Sequence, residues 1–220
     1  MHLEVLVEDQ SGSIAVGLLL DKILKPFRDM VTYQIHSYKG IGRIPANLMH
    51  RPDPQKRILL EQLPKLLRGY GRSLQWTDAA VLVVLDLDRQ NCIEFKRELC
   101  DLLNSCNPRP NALFRIAVEE IEAWLLGDRK AVIKAYPDAK INVLQNYRQD
   151  SICDTWEKLA DAVCEGGSQK LKESGYPLIG EKKCQWAKEI ASRIDIRRNE
   201  SRSFQVFRDG IYRLAGITHT

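Results

Sequence analysis

Carboxylates are concentrated where the apolar runs of this chain stop. Glu8-Asp9 follows Leu3-Glu4-Val5-Leu6-Val7, Asp86-Leu87-Asp88 follows the run from Ala79 to Leu85, and Glu119-Glu120-Ile121-Glu122 follows Leu113-Phe114-Arg115-Ile116-Ala117-Val118. If those runs are parallel strands of an open α/β sheet, ligands bind in the crevice beyond their carboxyl ends, and carboxylates from three strand ends converge there. Converging carboxylates repel one another unless protons or a divalent cation neutralise them. An all-oxygen ligand set suits Mg²⁺ or Mn²⁺ better than zinc.

Each candidate has a plainer reading beside the chemical one. Asp86 and Asp88 are two apart, so on a strand both point to the same side and face one cation; alternatively one caps the next helix and the other is solvated. Asp9 alone reads as a helix N-cap or turn residue, and Glu8 gains weight from the two other acidic strand ends. In the triplet Glu119, Glu120 and Glu122 strand alternation overlaps a helix start, which leaves open which carboxylates face the crevice. Glutamates in a first helical turn also complement the helix dipole without any further role. Lys39-Gly40 and Arg43 form a loop in which a cation holds a phosphate and glycine admits the backbone to it. Lys183 is a second candidate for stabilising a developing charge. Arg193, Arg197, Arg198, Arg202 and Arg208 either contact a nucleic-acid backbone or form a solvated face.

The elements that must position these groups follow from the hydrophobic pattern. Residues 2–8 predict a strand, and spacing from Ile14 to Leu24 predicts a helix after the break at Gln10-Ser11-Gly12-Ser13. Residues 31–37 predict a second strand leading into the loop 38–45. Residues 54–70 carry a helical stripe of Ile58, Leu59, Leu63, Leu66 and Leu67, opposite Lys56, Arg57, Lys65 and Arg68. Strand 79–86 is apolar almost throughout, as a central strand covered on both faces requires. Helix 90–104, strand 112–118 and a helix with Ala123-Trp124-Leu125-Leu126 complete the pattern, Trp124 reading as core rather than as a base-stacking platform. Beyond residue 128 the spacing predicts short helices at 129–136, 153–164, 167–173, 180–193 and 203–214. The expected class is α/β, a mostly parallel sheet flanked by helices (residues 1–128) with a mostly helical C-terminal part (129–220) packed on it as one unit.

Composition sets the outer bounds. The chain has 220 residues, 44% hydrophobic and 28% charged, which suits a folded core and argues against disorder. A net charge of +4 permits nucleic-acid binding without demanding it. No apolar run is long enough to span a bilayer and no leader precedes the first strand, so a cytoplasmic protein is expected. The six cysteines, Cys92, Cys100, Cys106, Cys153, Cys164 and Cys184, include no CxxC pair, which predicts free thiols rather than a zinc site.

The run Leu-Glu-Val-Leu-Val-Glu-Asp-Gln-Ser-Gly, the Asp86-Leu87-Asp88 triplet, the segment from Glu120 to Asp128 and the tail Ser201-Arg202-Ser203-Phe204 together resemble the family catalogued as domain of unknown function 4276. That family is similar to the Toprim domains of topoisomerases, primases and overcoming-lysogenization-defect nucleases. The likeness runs from Leu3 to about Phe207. It implies a parallel sheet between helices, with the Toprim glutamate at Glu8, the DxD at Asp86 and Asp88, and the family's ExE-A-W segment at Glu120 and Glu122. Where many Toprim domains have glycine after the first glutamate, this chain has Asp9, an added charge beside the metal position.

The resulting expectation is a Toprim-like, Mg²⁺- or Mn²⁺-dependent nuclease: Glu8, Asp86 and Asp88 hold one or two cations, Glu120 and Glu122 complete a second site, and Lys39 or Lys183 neutralises the scissile phosphate. The alternative is a non-catalytic subunit that binds nucleic acid or an ATPase. Because no GxxxxGK[ST] loop occurs in the chain, that ATPase would act in trans. A phosphoacceptor receiver domain ranks below both, since the interval from Glu8 to Asp86 is too long for it.

Overall fold

Four strands carry the acidic strand ends: β1 (His2–Val7), β2 (Thr32–Ser37), β3 (Ala79–Asp86) and β4 (Ala112–Ala117). They form one all-parallel sheet in the order β2-β1-β3-β4. The computed structural model describes residues 1–40, 42–47, 49, 51–150 and 154–216. Of the sequence expectations, Ile41 in the loop after β2 and Cys153 at the start of a predicted helix lie outside the described residues.

Strand composition explains the three layers. In β3, Ala80, Leu82 and Val84 enter one hydrophobic core while Val81, Val83 and Leu85 enter another. Such a strand is covered on both faces, and each face needs its own helices. One face is covered by α1 (Gln10–Ile23) and by the C-terminal helices, whose Trp186, Phe204 and Phe207 share a core with Val5 and Leu82. The other is covered by α2 (Leu59–Leu74) and α3 (Cys92–Asn104) through Leu63, Leu67, Phe95 and Leu99. The helical part beyond β4 is α4 (Glu122–Leu126), α5 (Arg129–Ala135), α6 (Ile141–Asn146), α7 (Thr155–Val163), α8 (Gly167–Ser174), α9 (Tyr176–Ala191) and α10 (Arg202–Leu214). No helix among the described residues is long and apolar enough to cross a membrane.

Element boundaries depart from the sequence pattern where a local contact outweighs it. Helix α2 begins at Leu59 rather than 54, because the Arg57 carbonyl accepts from the Lys39 backbone N–H at 2.8 Å and the Leu59 N–H donates to the Lys39 carbonyl at 3.3 Å. These bonds hold Ile58 extended beside the exit of β2, between a left-handed Arg57 at φ +52° and the start of the helix. Helix α9 begins at Tyr176 rather than 180. Pro177 falls in its first turn, where its missing N–H is no loss, and the preceding Gly175 at φ +89° supplies the left-handed corner. Helix α6 was not expected; Leu144 is its one buried residue, too little for a periodic signal.

The sheet order fixes where a ligand belongs. From β1 the chain steps outward to β2, then crosses back over β1 to reach β3 and β4. The direction of winding therefore reverses between β1 and β3, and the crevice outside their carboxyl ends is the topological switch point.

Candidate functional site

Glu8 and Asp86 leave the two strands that flank that crevice. Glu8 directly follows Val7 and is buried, and its Oε2 accepts a hydrogen bond from the Asp86 backbone N–H at 3.1 Å. The first acidic strand end is thereby pinned across to the second. Asp9 lines the same cleft and also caps α1: its Oδ1 accepts from the Gly12 N–H at 2.5 Å and its Oδ2 from the Ser11 hydroxyl at 2.9 Å. The extra charge beside Glu8 thus complements a helix N-terminus while still acting on the cleft carboxylates.

Asp86 ends β3 half-buried. Burial, followed by the nearby charges of Asp9 and Glu8, pushes its carboxyl well above the usual range, with Lys183 opposing. Beyond it Leu87 and Asp88 still pair with the β4 side, the Asp88 N–H donating to the Glu119 carbonyl at 2.9 Å. Asp88 then takes a left-handed φ of +49°. Strand alternation therefore does not place Asp88 as the two-apart spacing predicts; a turn brings it to the same cleft as Asp86. Desolvation raises Asp88 too, again with Lys183 opposing.

The undecided glutamates separate into two roles. Glu119, itself left-handed at φ +65°, accepts from the backbone N–H groups of Asp154 and Thr155, the latter at 2.7 Å, and from the Thr155 hydroxyl. It ties down the start of α7. Glu120 and Glu122 turn instead to Lys183 on α9, whose ammonium lies 3.5 Å from Glu120 Oε2 and 3.3 Å from Glu122 Oε2. Glu122 is 2% exposed and Lys183 15%. Burial and then the Glu122 charge push Glu120 up to about 8, against the pull of Lys183. Lys183 itself stays protonated, since its carboxylate neighbours outweigh its desolvation.

These groups line a cleft of about 750 Å³. Six carboxylates reach it, from Glu8, Asp9, Asp86, Asp88, Glu120 and Glu157, against the two ammonium groups of Lys172 and Lys183. An adjoining hollow of about 690 Å³ shares Asp88, Glu120, Trp156 and Glu157 and adds Arg43 and Arg89. Glu157 was missed by the sequence reading. It sits in the first turn of α7, next to Trp156, and pairs with Lys172 at 3.1 Å. Lys172 also stands 5.6 Å from the centroid of the Trp156 ring, and Tyr176, 87% exposed, marks the rim. A Trp-Glu pair opening a predicted helix was the available signal, and it is weak.

Not every expected residue arrives. Lys39 is exposed and engages residues 57–59 through its backbone; Gly40 beside it lines the cleft. Several of the C-terminal arginines are held locally: Arg198 pairs with Asp128 and Asp195, both at 3.6 Å, Arg208 with Asp209 at 2.8 Å, and Arg193 donates to the Glu189 carbonyl. The cysteines among the described residues are free thiols.

The donors suit a hard divalent cation in type. All are oxygens; one buried carboxylate oxygen of the cleft, Glu157 Oε2, has no hydrogen-bond partner, and Glu120 Oε2 has none besides the Lys183 ammonium at 3.5 Å. Among the described residues no three His, Cys, Asp or Glu side chains are already drawn together as a cage. The carboxylates ring the cleft instead.

The segment that follows Glu120 and Glu122 does different work. Trp124 is fully buried against Phe204 and Phe207, and its indole N–H donates to Ser203 Oγ at 2.9 Å. Asn199 donates to the Trp124 carbonyl at 2.7 Å and lies so close to Gly127 that a Cβ there would fall 2.1 Å from Asn199 Oδ1. Asp128 caps α5 and accepts from the Asp195 N–H at 2.9 Å. Trp124, Gly127, Asp128 and Ser203 bolt α4 and α5 to the chain leading into α10.

An open, all-parallel α/β sheet with an acidic cleft at its switch point, closed by a helical C-terminal part, defines the class of this protein. Within that class, the chain belongs to the family described as Domain of unknown function (DUF4276), whose model matches residues 7–212. No curated protein and no solved structure matches it.

Proposed function

We propose that the protein is a Toprim-like, Mg²⁺- or Mn²⁺-dependent phosphodiester hydrolase acting on nucleic acid. The observation that carries this reading is the switch-point cleft, where Glu8 is hydrogen-bonded across to the strand end at Asp86 and six carboxylates face two ammonium groups. A polyanionic substrate entering such a cleft meets net negative charge unless divalent cations come with it, which favours a metal-dependent reaction over simple binding. Glu8, Asp86 and Asp88 would hold the ion. When bound, it would lower the pKa of a water and offset charge on the phosphate.

The chain's own groups supply the rest. Lys183, fixed between Glu120 and Glu122, presents positive charge to a phosphate oxygen in a water-poor wall of the cleft, where such charge acts strongly. Trp156 and Tyr176 offer aromatic rings beside the acidic floor, with the Lys172 ammonium standing over the Trp156 ring. Stacking on such faces is how proteins hold bases without reading sequence, and it favours nucleic acid over a small phosphoester. The free cysteines support a cytoplasmic setting.

The test is cleavage of single- and double-stranded DNA and RNA by purified protein with Mg²⁺ or Mn²⁺, and its response to Asp86→Ala. Loss of an ion worth several kcal/mol to the transition state lowers the rate by about 100-fold or more. Undiminished cleavage by Asp86→Ala would sink the assignment.

A further inference from the structure

We infer that Lys183 stands where a second cation would sit, so that the cleft takes a single divalent ion at the ends of β1 and β3. The inference rests on the metal-dependent reading above and sets its metal count. Glu120 lies in the turn between β4 and α4 and Glu122 opens α4, and both carboxylates converge on one nitrogen, at 3.5 and 3.3 Å. Two carboxylates meeting at one point are what a second divalent ion would require. Here the point is filled by an ammonium.

That ammonium is not readily displaced. Lys183 lies in the middle of α9, and the helix is anchored on both sides of it by the buried side chains of Ile179, Trp186, Ala187 and Ile190. The side chain therefore moves only by its own rotamers, and at 15% exposure beside a nearly sealed Glu122 it would leave a buried carboxylate uncompensated. A divalent ion approaching while the lysine stays would meet like charge at close range in a poorly solvated wall.

Charge pairing elsewhere in the cleft points the same way. Glu157 has Lys172 at 3.1 Å, and the Asp9 carboxylate is turned to the N-terminus of α1. Asp86 and Asp88 have no ammonium or guanidinium within ion-pair distance among the described residues. The demand for an added cation is therefore centred at the β3 end, to which Glu8 is hydrogen-bonded, and Lys183 serves the β4 side as a built-in monovalent substitute.

The experiment is a Mn²⁺ titration of the full chain by calorimetry, with electron paramagnetic resonance of the loaded protein, for wild type, Lys183→Met and Lys183→Arg. The expected result is one ion per chain with a mononuclear signal in wild type and in Lys183→Arg, which keeps the charge. Lys183→Met, which keeps the stem without the charge, gains a second ion and a spin-coupled signal. Two ions with a coupled signal in wild type overturn the inference while leaving the metal reading intact, and this arm does not depend on any variant folding. A folded Lys183→Met that still binds one ion also overturns it. No ion in wild type removes the metal reading itself and this inference with it.

Discussion

Ser203→Ala separates scaffold from chemistry in the segment that joins Trp124 to the start of α10. The Ser203 hydroxyl oxygen accepts from the indole N–H of Trp124 at 2.9 Å and from the Val118 N–H at 3.4 Å, and the hydroxyl lies 3.2 Å from Asp150 Oδ1. Alanine removes that one atom and keeps the Ser203 backbone bond to Asp150 Oδ2 at 2.7 Å. Trp124 is fully buried, so its N–H has no water to turn to. A buried donor left unmade costs about 1–3 kcal/mol, and the lost contact to a carboxylate adds about 1 kcal/mol, for a total near 3 kcal/mol. With an unfolding entropy of about 2 cal/mol/K per residue, a chain of this length loses about 7 °C in Tm. Urea denaturation should show a lower midpoint at unchanged slope, and Mn²⁺ affinity measured alongside should not move. A loss below about 1 kcal/mol, or an intact melt with weakened Mn²⁺ binding, would refute the structural role assigned to this segment.

Two further outcomes follow from the geometry. Glu120 has its folded-state pKa raised from 4.5 to about 8, so between those values the native state holds a proton that the unfolded chain has released, and Asp86, raised well above its ordinary value, acts in the same direction. Stability of metal-free protein therefore rises as pH falls from 8 toward 5, by up to about 1.4 kcal/mol per pH unit for each such carboxyl, and saturating Mn²⁺ flattens the trend; a metal-free Tm that drops over this range counts against the crowded-carboxylate picture. Within α2, Gly71→Ala and Gly69→Ala should have opposite signs. A Cβ at Gly71 would lie 2.0 Å from the Pro108 carbonyl oxygen, a backbone atom, whereas nothing lies within 4 Å of one at Gly69. Overpacking should cost the first about 1–3 kcal/mol, and helix propensity should add up to about 1 kcal/mol to the second, read by thermal melts.

How far the sequence reveals the site depends on which force places each residue. Glu8 and Asp86 are legible because β1 and β3 are apolar runs that end abruptly, and parallel pairing then brings their carboxyl ends level. Legibility fails at Asp88 and Glu119, where non-glycine residues turn left-handed and alternation no longer says where the next side chain points. That turn is why the glutamate triplet could not be assigned from spacing. It also accounts for Glu157, which no strand-end rule would reveal. Glu119 uses its carboxylate to hold the backbone at Asp154 and Thr155, and Trp156 and Glu157 occupy the helical turn that starts there. One glutamate of the triplet thus fixes the wall that carries a distant acid and an aromatic face, while its neighbours Glu120 and Glu122 hold Lys183. The acidic ends of the three strands act as a unit because the third positions the helices that close the cleft over the first two.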